Sequence, residues 1–417
     1  MSSREFIHKH RDRETDFTRE SRLTFAVLVS FCMNMVKGAL QSELNRFFQA
    51  KDGHSTMRQI ITASAFSKAR KKLSELVFVD LNKCVNDVFY QNVKIQKWHG
   101  YRILAVDGSR YQLPNTDEVH ALYGGSENQH ERRVPIALGS CLYDVFQGLV
   151  IDAQLGAYHC SERALAYEHL FHTQSDDLIL YDRGYPAFWF FVAHEQMDRK
   201  YCIRASESHS PAVKQFVRSG KSHCTIMIRP DAEKKRACRS RGLPVAPVKV
   251  RLVRVKVTGK QYILMTNLHD KKLYTVSDFK QLYHFRWQIE ESYKKQKSWL
   301  EIENFSGKSV LSVKQDFHAR VLSQTLSAIT AFEARSYMSA RISSRQLGYK
   351  INFVQTLSAM KDTIVRLIFG QISPQDIRHW LQSISRSLSA IRPGRSFSRK
   401  PARHMTRKFH YSYKRAL

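Results

Sequence analysis

Tyr283-His-Phe-Arg286-Trp-Gln-Ile-Glu290-Glu-Ser-Tyr-Lys-Lys-Gln-Lys297 reads as a helix that sets a tyrosine, an arginine, a carboxylate and a lysine along one side. At about 100° per residue, Tyr283, Arg286, Glu290 and Lys297 fall within an arc of roughly 60°. Leu282, Phe285, Ile289, Tyr293 and Leu300 form an apolar stripe beside it. A polar stripe bordering a buried one can be held rigidly at the mouth of a cleft. It suits a metal-binding carboxylate flanked by phosphate-binding cations. Arg286 and Glu290 are four apart, however, so they equally describe a surface ion pair contributing a few tenths of a kcal/mol. The helix needs partners elsewhere in the chain.

The composition narrows the choice of partner. With 67 Lys+Arg against 37 Asp+Glu, the 417-residue chain carries a net charge of +30. Such an excess speeds encounter with polyanions, nucleic acid first among them, and predicts steep salt dependence of that binding. A histone-like binder shares the charge but seldom needs 24 Phe, 18 Tyr and 5 Trp, which indicate large packed cores. Seven scattered cysteines without any CxxC fit reduced thiols in a cytosolic protein. His159-Cys160 and His223-Cys224 lack the regular ligand spacing of structural zinc. The start, Met1 to Arg22, is too polar for a signal peptide, and the apolar run Phe25 to Val36 is too short to span a bilayer. The expectation is a soluble, cytoplasmic protein, nucleoid-associated when bound to DNA.

Along the chain, residues 1–95 read as helical, with one helix from Leu23 to Phe48, another within Thr56 to Leu73 and a third over Phe78 to Tyr90. Ser64 to Lys72 is basic and small-residue-rich, as a helix against DNA would be, and equally as an ordinary basic amphipathic helix would be. From Tyr101 the texture becomes α/β. Arg102 to Val106 is a buried strand ending in Asp107-Gly-Ser. Val134 to Tyr143 and Gly148 to Leu155 are two more, and Ser161 to His172 is a helix. Asp177 to Tyr181 is a second short apolar strand, ending in Asp182-Arg-Gly-Tyr, with a helix over Ala187 to Met197 and a strand over Tyr201 to Ala205. Residues 207–261 alternate charged and apolar, predicting antiparallel strands added to the core. Tyr262 to Asn267 returns to a buried strand. Helices follow to about residue 390, and Ile391 to Leu417 holds nine Lys/Arg and no acid, a tail suited to phosphates.

Asp107 and Asp182 thus stand at the ends of apolar strands, and Glu290 on the helix after a further one. Strand ends of an open α/β sheet converge on a crevice. Hard cations are held by a few carboxylates with water and phosphate, and two of them can serve in-line displacement at phosphorus. Asp144, Asp152, Asp176 and Asp177 compete for the same role, and a strand-end Asp is often only a turn former or cap. Asp176 and Asp177 lie at the start of their strand, and Glu291 is rotated about 100° from Glu290.

Tyr283-x2-Arg286-x3-Glu290-x6-Lys297 resembles, with every spacing kept, the Y-R-E-K signature of DDE transposases of the insertion-sequence-four family. Asp107-Gly-Ser and Asp182-Arg-Gly-Tyr resemble that family's two aspartate motifs, and the ending from Arg392 resembles its C-terminal segment. The resemblance implies an α/β, ribonuclease H-like catalytic core with a β-rich insertion, an N-terminal helical domain and a helical C-terminal region with a basic tail. The implied division is 1–95 helical and DNA-binding, 96–206 first part of the core, 207–261 insertion, 262–310 second part, 311–390 helices and 391–417 tail. It implies that Asp107, Asp182 and Glu290 bind two Mg²⁺ ions, with Mn²⁺ able to substitute. Tyr283, Arg286 and Lys297 then hold DNA. The implied activity is cut-and-paste transposition, commonly with a hairpin intermediate, on terminal inverted repeats and target DNA in a homodimeric synaptic complex. The alternatives are a nuclease or resolvase on the same fold, or an inactive DNA-binding regulator.

Overall fold

A computed structural model describes residues 1, 3–34, 37–53, 56–127, 133–257, 259–338 and 347–392. The basic tail lies outside them from residue 393 onward, as does nearly all of the segment that begins at Arg392. The chain forms two compact units. One combines residues 1–92, 112–136 and 295–417, and the other residues 93–111 and 137–294.

In the first unit, the helices Phe25–Met33, Leu40–Asp52, Ala63–Arg70 and Leu76–Asn92 share one core with the 25-residue helix Val310–Ala334 and with Phe353–Met360 and Thr363–Ile368. The expected single helix from Leu23 to Phe48 is two. Its break is fixed by the Glu43 carboxylate, which accepts from Lys37 N and Gly38 N at 3.2 and 2.8 Å. Arg70, one of the basic residues of the segment that reads equally as a helix against DNA and as an ordinary amphipathic helix, is buried. Its guanidinium meets Asp316 at 3.0 Å, Gln315 at 2.8 Å and Ser306 at 2.8 Å. Lys68 and Lys71 remain exposed.

The strands of the large sheet run in chain order β1 (Arg102–Gln112), β2 (Gly125–Glu127), β3 (Arg133–Asp144), β4 (Val150–Ala157), β5 (Asp177–Tyr181), β6 (Lys200–Ala205), β7 (His223–Ile228), β8 (Val248–Val257) and β9 (Lys260–Thr266). In the second unit their lateral order is β3-β1-β5-β6-β9-β8-β7, with β4 antiparallel to β3. β2 pairs with the opening residues of β3 within the first unit. β1, β5 and β6 are parallel, and β9, β8 and β7 continue antiparallel from them. All five residues of β5 are buried, as a central parallel strand covered on both faces requires. Leu104, Ile179, Tyr181, Ile203, Ile263 and the apolar helix Phe188–Gln196 build the core there.

β1 does not end at Asp107. Its pairing with β5 stops at Ala105 opposite Leu180, and β1 runs on to Gln112 with β3 still its neighbour. The alternating segment 207–261 does add antiparallel strands, but on the edge of this same sheet. Two helices come with them, Pro211–Arg218 behind a Ser210 cap and Ala232–Arg239 behind an Asp231 cap. No helix among the described residues is long and apolar enough to cross a membrane.

Candidate active site

Asp107 and Asp182 come together through strand register. The parallel pairing sets Arg102 opposite Asp177 and Ala105 opposite Leu180. Continued two residues further, the same offset brings Asp107 level with Asp182. Glu290 comes from the helix Trp287–Lys294. Arg286 spans the gap: its guanidinium is 2.8 Å from Glu290 Oε1 and 3.7 Å from Asp107 Oδ2. The ion pair considered from the i,i+4 spacing therefore exists, but not on the surface. The Arg286 side chain is only 5% exposed, and among the described residues its Nε has no hydrogen-bond partner.

The expected continuous helix is broken into three pieces. Tyr283 ends in the helix Val276–Phe285, Arg286 is the joint, and Glu290 lies in Trp287–Lys294. Lys297 falls in a π-helical turn, Lys295–Trp299, where Leu300 N reaches back five residues to Lys295 O at 2.9 Å. The wider turn ends the 100° progression on which the arc rested. Tyr283, Arg286, Glu290, Asp107 and Asp182 belong to the second unit, and Lys297 to the first.

Around Asp182, Tyr283 donates its hydroxyl to Oδ1 at 3.1 Å, and Arg204 Nη1 stands 3.5 Å from the same oxygen. Arg204 is stacked 4.6 Å over the Tyr262 ring. Sequence reading missed Arg204. Its only signal is one charge inside an otherwise apolar strand. Burial pushes the Asp107 carboxyl up to about 6, assisted by Asp182 and Glu162 and opposed by the Gly108 amide and Arg286. Burial disfavours the charged form of Arg286, yet Tyr283, Asp182 and Glu290 outweigh it and raise its pKa.

A buried polar network stands behind Asp107. Its carbonyl oxygen accepts from the Tyr293 hydroxyl, which itself accepts from Cys141 N at 3.1 Å, and from Ser140 Oγ at 3.4 Å. Ser140 Oγ is 3.0 Å from His169 Nε2, and His169 Nδ1 is 2.6 Å from Asp152 Oδ2. The order Ser–His–Asp invites comparison with a hydrolase triad, but Ser140 and His169 are fully buried, so no substrate reaches them. The trio secures the backbone of Asp107.

The rival acids are all engaged elsewhere. Asp144 caps its own turn, accepting from Phe146 N and Gln147 N at 2.9 Å each. Asp152 is bound to His169, and Asp176 pairs with Lys97 at 2.7 Å. Asp177 holds Arg102 through two contacts of 2.7 and 2.8 Å. Asp107, Asp182 and Glu290 keep side chains open to solvent, at 23, 32 and 37%.

The Transposase DDE domain family matches residues 98–326, a span that contains all three acids and the whole broken helix. The chain belongs to the DDE transposase family. Among its relatives, the transposase InsG for insertion sequence element IS4 of Escherichia coli K12 is 22% identical over 340 residues, covering 79% of this chain and 73% of InsG. A second protein of that bacterium, InsZ, is 23% identical over 146 residues, covering 34% of this chain and 48% of its own. The enzyme is thus a DDE transposase of the bacterial insertion-sequence type. Among solved structures, the piggyBac transposase synaptic complex with hairpin DNA aligns with 95% of this chain and 83% of its own at TM-score 0.42 and 9% identity. That likeness is too slight to carry any argument about the site.

As for metal, Asp107, Asp182 and Glu290 offer the hard oxygen donors that Mg²⁺ takes. Among the described residues no three His, Cys, Asp or Glu side chains are gathered closely enough to ligate one ion. Arg286 is the cation that now stands between Asp107 and Glu290. The donor chemistry of the three carboxylates is that of a divalent hard cation.

Proposed function

We propose that this transposase binds the terminal inverted repeats of its insertion sequence, cuts them with divalent metal, and joins the freed ends to target DNA. The observation that carries the reading is the level pair Asp107 and Asp182 with Glu290 tied to it through Arg286. A sheet with β1 between antiparallel β3 and parallel β5 supports assigning the centre to the ribonuclease H-like type.

Asp107, Asp182 and Glu290 are the residues that would hold the metal. Two bound cations supply activation of the attacking oxygen and stabilisation of the leaving one. The residues beside the acids prepare the place for a phosphate. Arg286 holds its guanidinium charge between Asp107 and Glu290, beside the place that a phosphate would take in the proposed centre. Arg204 and Tyr283 fix one Asp182 oxygen and leave its carboxylate aimed. Tyr283, Arg286 and Lys297 are the assigned DNA contacts, with Lys297 reaching the backbone as a point charge. A homodimeric synaptic complex is part of the proposal, since two element ends must be cut in concert.

The test is cleavage of a duplex carrying the element's own end repeat. Wild type should cut it only with Mg²⁺ or Mn²⁺. Asp107→Ala, Asp182→Ala and Glu290→Ala should each abolish cutting and leave DNA binding intact. Robust cutting by any of the three would overturn the assignment.

A further inference from the structure

Strand β8 carries four charged residues, Lys249, Arg251, Arg254 and Lys256, and of these only Arg251 is buried, at 1% exposure. No Asp or Glu side chain among the described residues pairs with it. Its Nη1 donates instead to the carbonyl oxygens of Leu268, Asp270 and Tyr274, at 3.2, 3.2 and 2.9 Å. Those carbonyls belong to the turn that leads into the helix Val276–Phe285. Asp270 closes the turn, accepting from Lys272 N and Leu273 N at 2.8 and 3.0 Å, and Thr275 and Asp278 form a capping box at its end. The Arg251 guanidinium also lies 5.3 Å over the ring of Phe279, a buried residue in the first turn of the helix. One cation thus ties β8 to the approach and to the start of the helix that carries Tyr283.

A desolvated arginine without a carboxylate is a costly way to fill a core, where an apolar side chain packs without that penalty. Three carbonyls converging on one donor nitrogen supply direction rather than bulk. The same helix is supported again one turn on. Tyr283, four residues after Phe279 and so on the same side, sets its ring 5.9 Å from that of Tyr262 on β9. Arg251 faces Thr266 in the β8–β9 register, and Tyr262 faces Val255. Both supports therefore stand on this strand pair, four residues apart along it. From that seat the Tyr283 hydroxyl donates to Asp182 Oδ1 at 3.1 Å. Where the helix rests on the edge strands decides whether the hydroxyl reaches the carboxylate.

We propose that Arg251 is a positioning residue of the candidate active site, seating the helix Val276–Phe285 on the edge strands so that Tyr283 holds Asp182. This rests on the metal-dependent cleavage proposed above. The test is a double-mutant cycle on Mg²⁺-dependent cleavage of an end-repeat duplex by the full chain, with duplex binding and thermal melting measured for each variant. Arg251→Met keeps a long side chain and removes the donors. It should slow cleavage at saturating DNA by about tenfold, within what a misplacement of about 1 Å can cost, and leave binding within about twofold of wild type. Tyr283→Phe should slow cleavage as well. The double variant should be no more than about twofold slower than the slower single one, because both act on one contact. Arg251→Gln takes the place of Arg251→Met in the cycle if the latter loses its cooperative melt. If neither melts cooperatively, Arg251 serves the fold alone and the inference falls. It falls equally, with the cleavage reading left standing, if the Arg251 variant cuts within about twofold of wild type, alters binding alone, or shows losses that multiply with those of Tyr283→Phe. If wild type does not cut with Mg²⁺, or Asp182→Ala cuts as wild type does, the cleavage reading fails and this inference with it.

Discussion

Asp107 is the candidate acid whose protonation its surroundings alter. With its folded pKa raised to about 6 by burial, its ionised form is penalised in the fold. The stability this group supplies is present below its unfolded pKa and is lost as pH rises through about 6. Two units correspond to about 3 kcal/mol. Asp107→Asn should accordingly be more stable than the metal-free wild type at pH 7.5, by up to that amount. The gain should vanish below about pH 4, near the unfolded value, as urea unfolding across pH would read. Arg286 makes the opposite point. As the resident cation between Asp107 and Glu290 it would compete with metal in the proposed centre, and its charge would also meet a phosphate there. Arg286→Gln should lower cleavage by about 10²-fold or more, the scale of losing a preorganised donor, while Mn²⁺ affinity measured on the protein alone does not fall.

At the level of elements, β5 shows how two adjacent acids acquire different duties. Asp177 at its start is fully buried against Arg102, and Asp182, just past its end, is open. Asp177→Ala should cost about 3–5 kcal/mol by leaving a buried arginine uncompensated, and should unfold the second unit before it affects chemistry. Asp182→Ala should leave the melting temperature nearly unchanged and abolish cleavage. The sequence could separate these two because an apolar run has a direction, and only its far end opens on a crevice. It could not show the joint at Arg286 or the π-turn at Lys295–Trp299, since periodicity assumes one continuous helix and neither break carries a Pro or Gly. Arg204 stayed hidden for another reason. A single charge in a strand has an ordinary explanation until its neighbours are known. The edge strands β7 and β8 were legible by alternation, whereas the two short helices that Ser210 and Asp231 cap were not, because the alternating pattern was read across the whole segment.

Across the whole chain, residues distant in sequence share a core. The helices before residue 92 bury Phe31, Phe47, Phe66 and Phe78 together with Leu322, Leu357 and Val365, and Arg70 closes on Asp316. The segment expected to form an N-terminal DNA-binding domain is therefore completed by helices from the other end of the chain. A fragment of residues 1–95 should show weak helicity and no cooperative melt by circular dichroism, because much of its apolar surface faces partners it has lost. Restoring the segment from residue 295 onward should restore the transition.

Register locks the two aspartates in phase and leaves the distance between them along the chain unconstrained. A residue gained inside β1 or β5 would turn one carboxylate to the opposite face of the sheet. A residue gained in a connection between β4 and β5 changes no pairing. In hereditary terms, the gene can lengthen or shorten its loops between the two motifs in frame, but a single extra codon within either strand would part the two acids of the proposed centre.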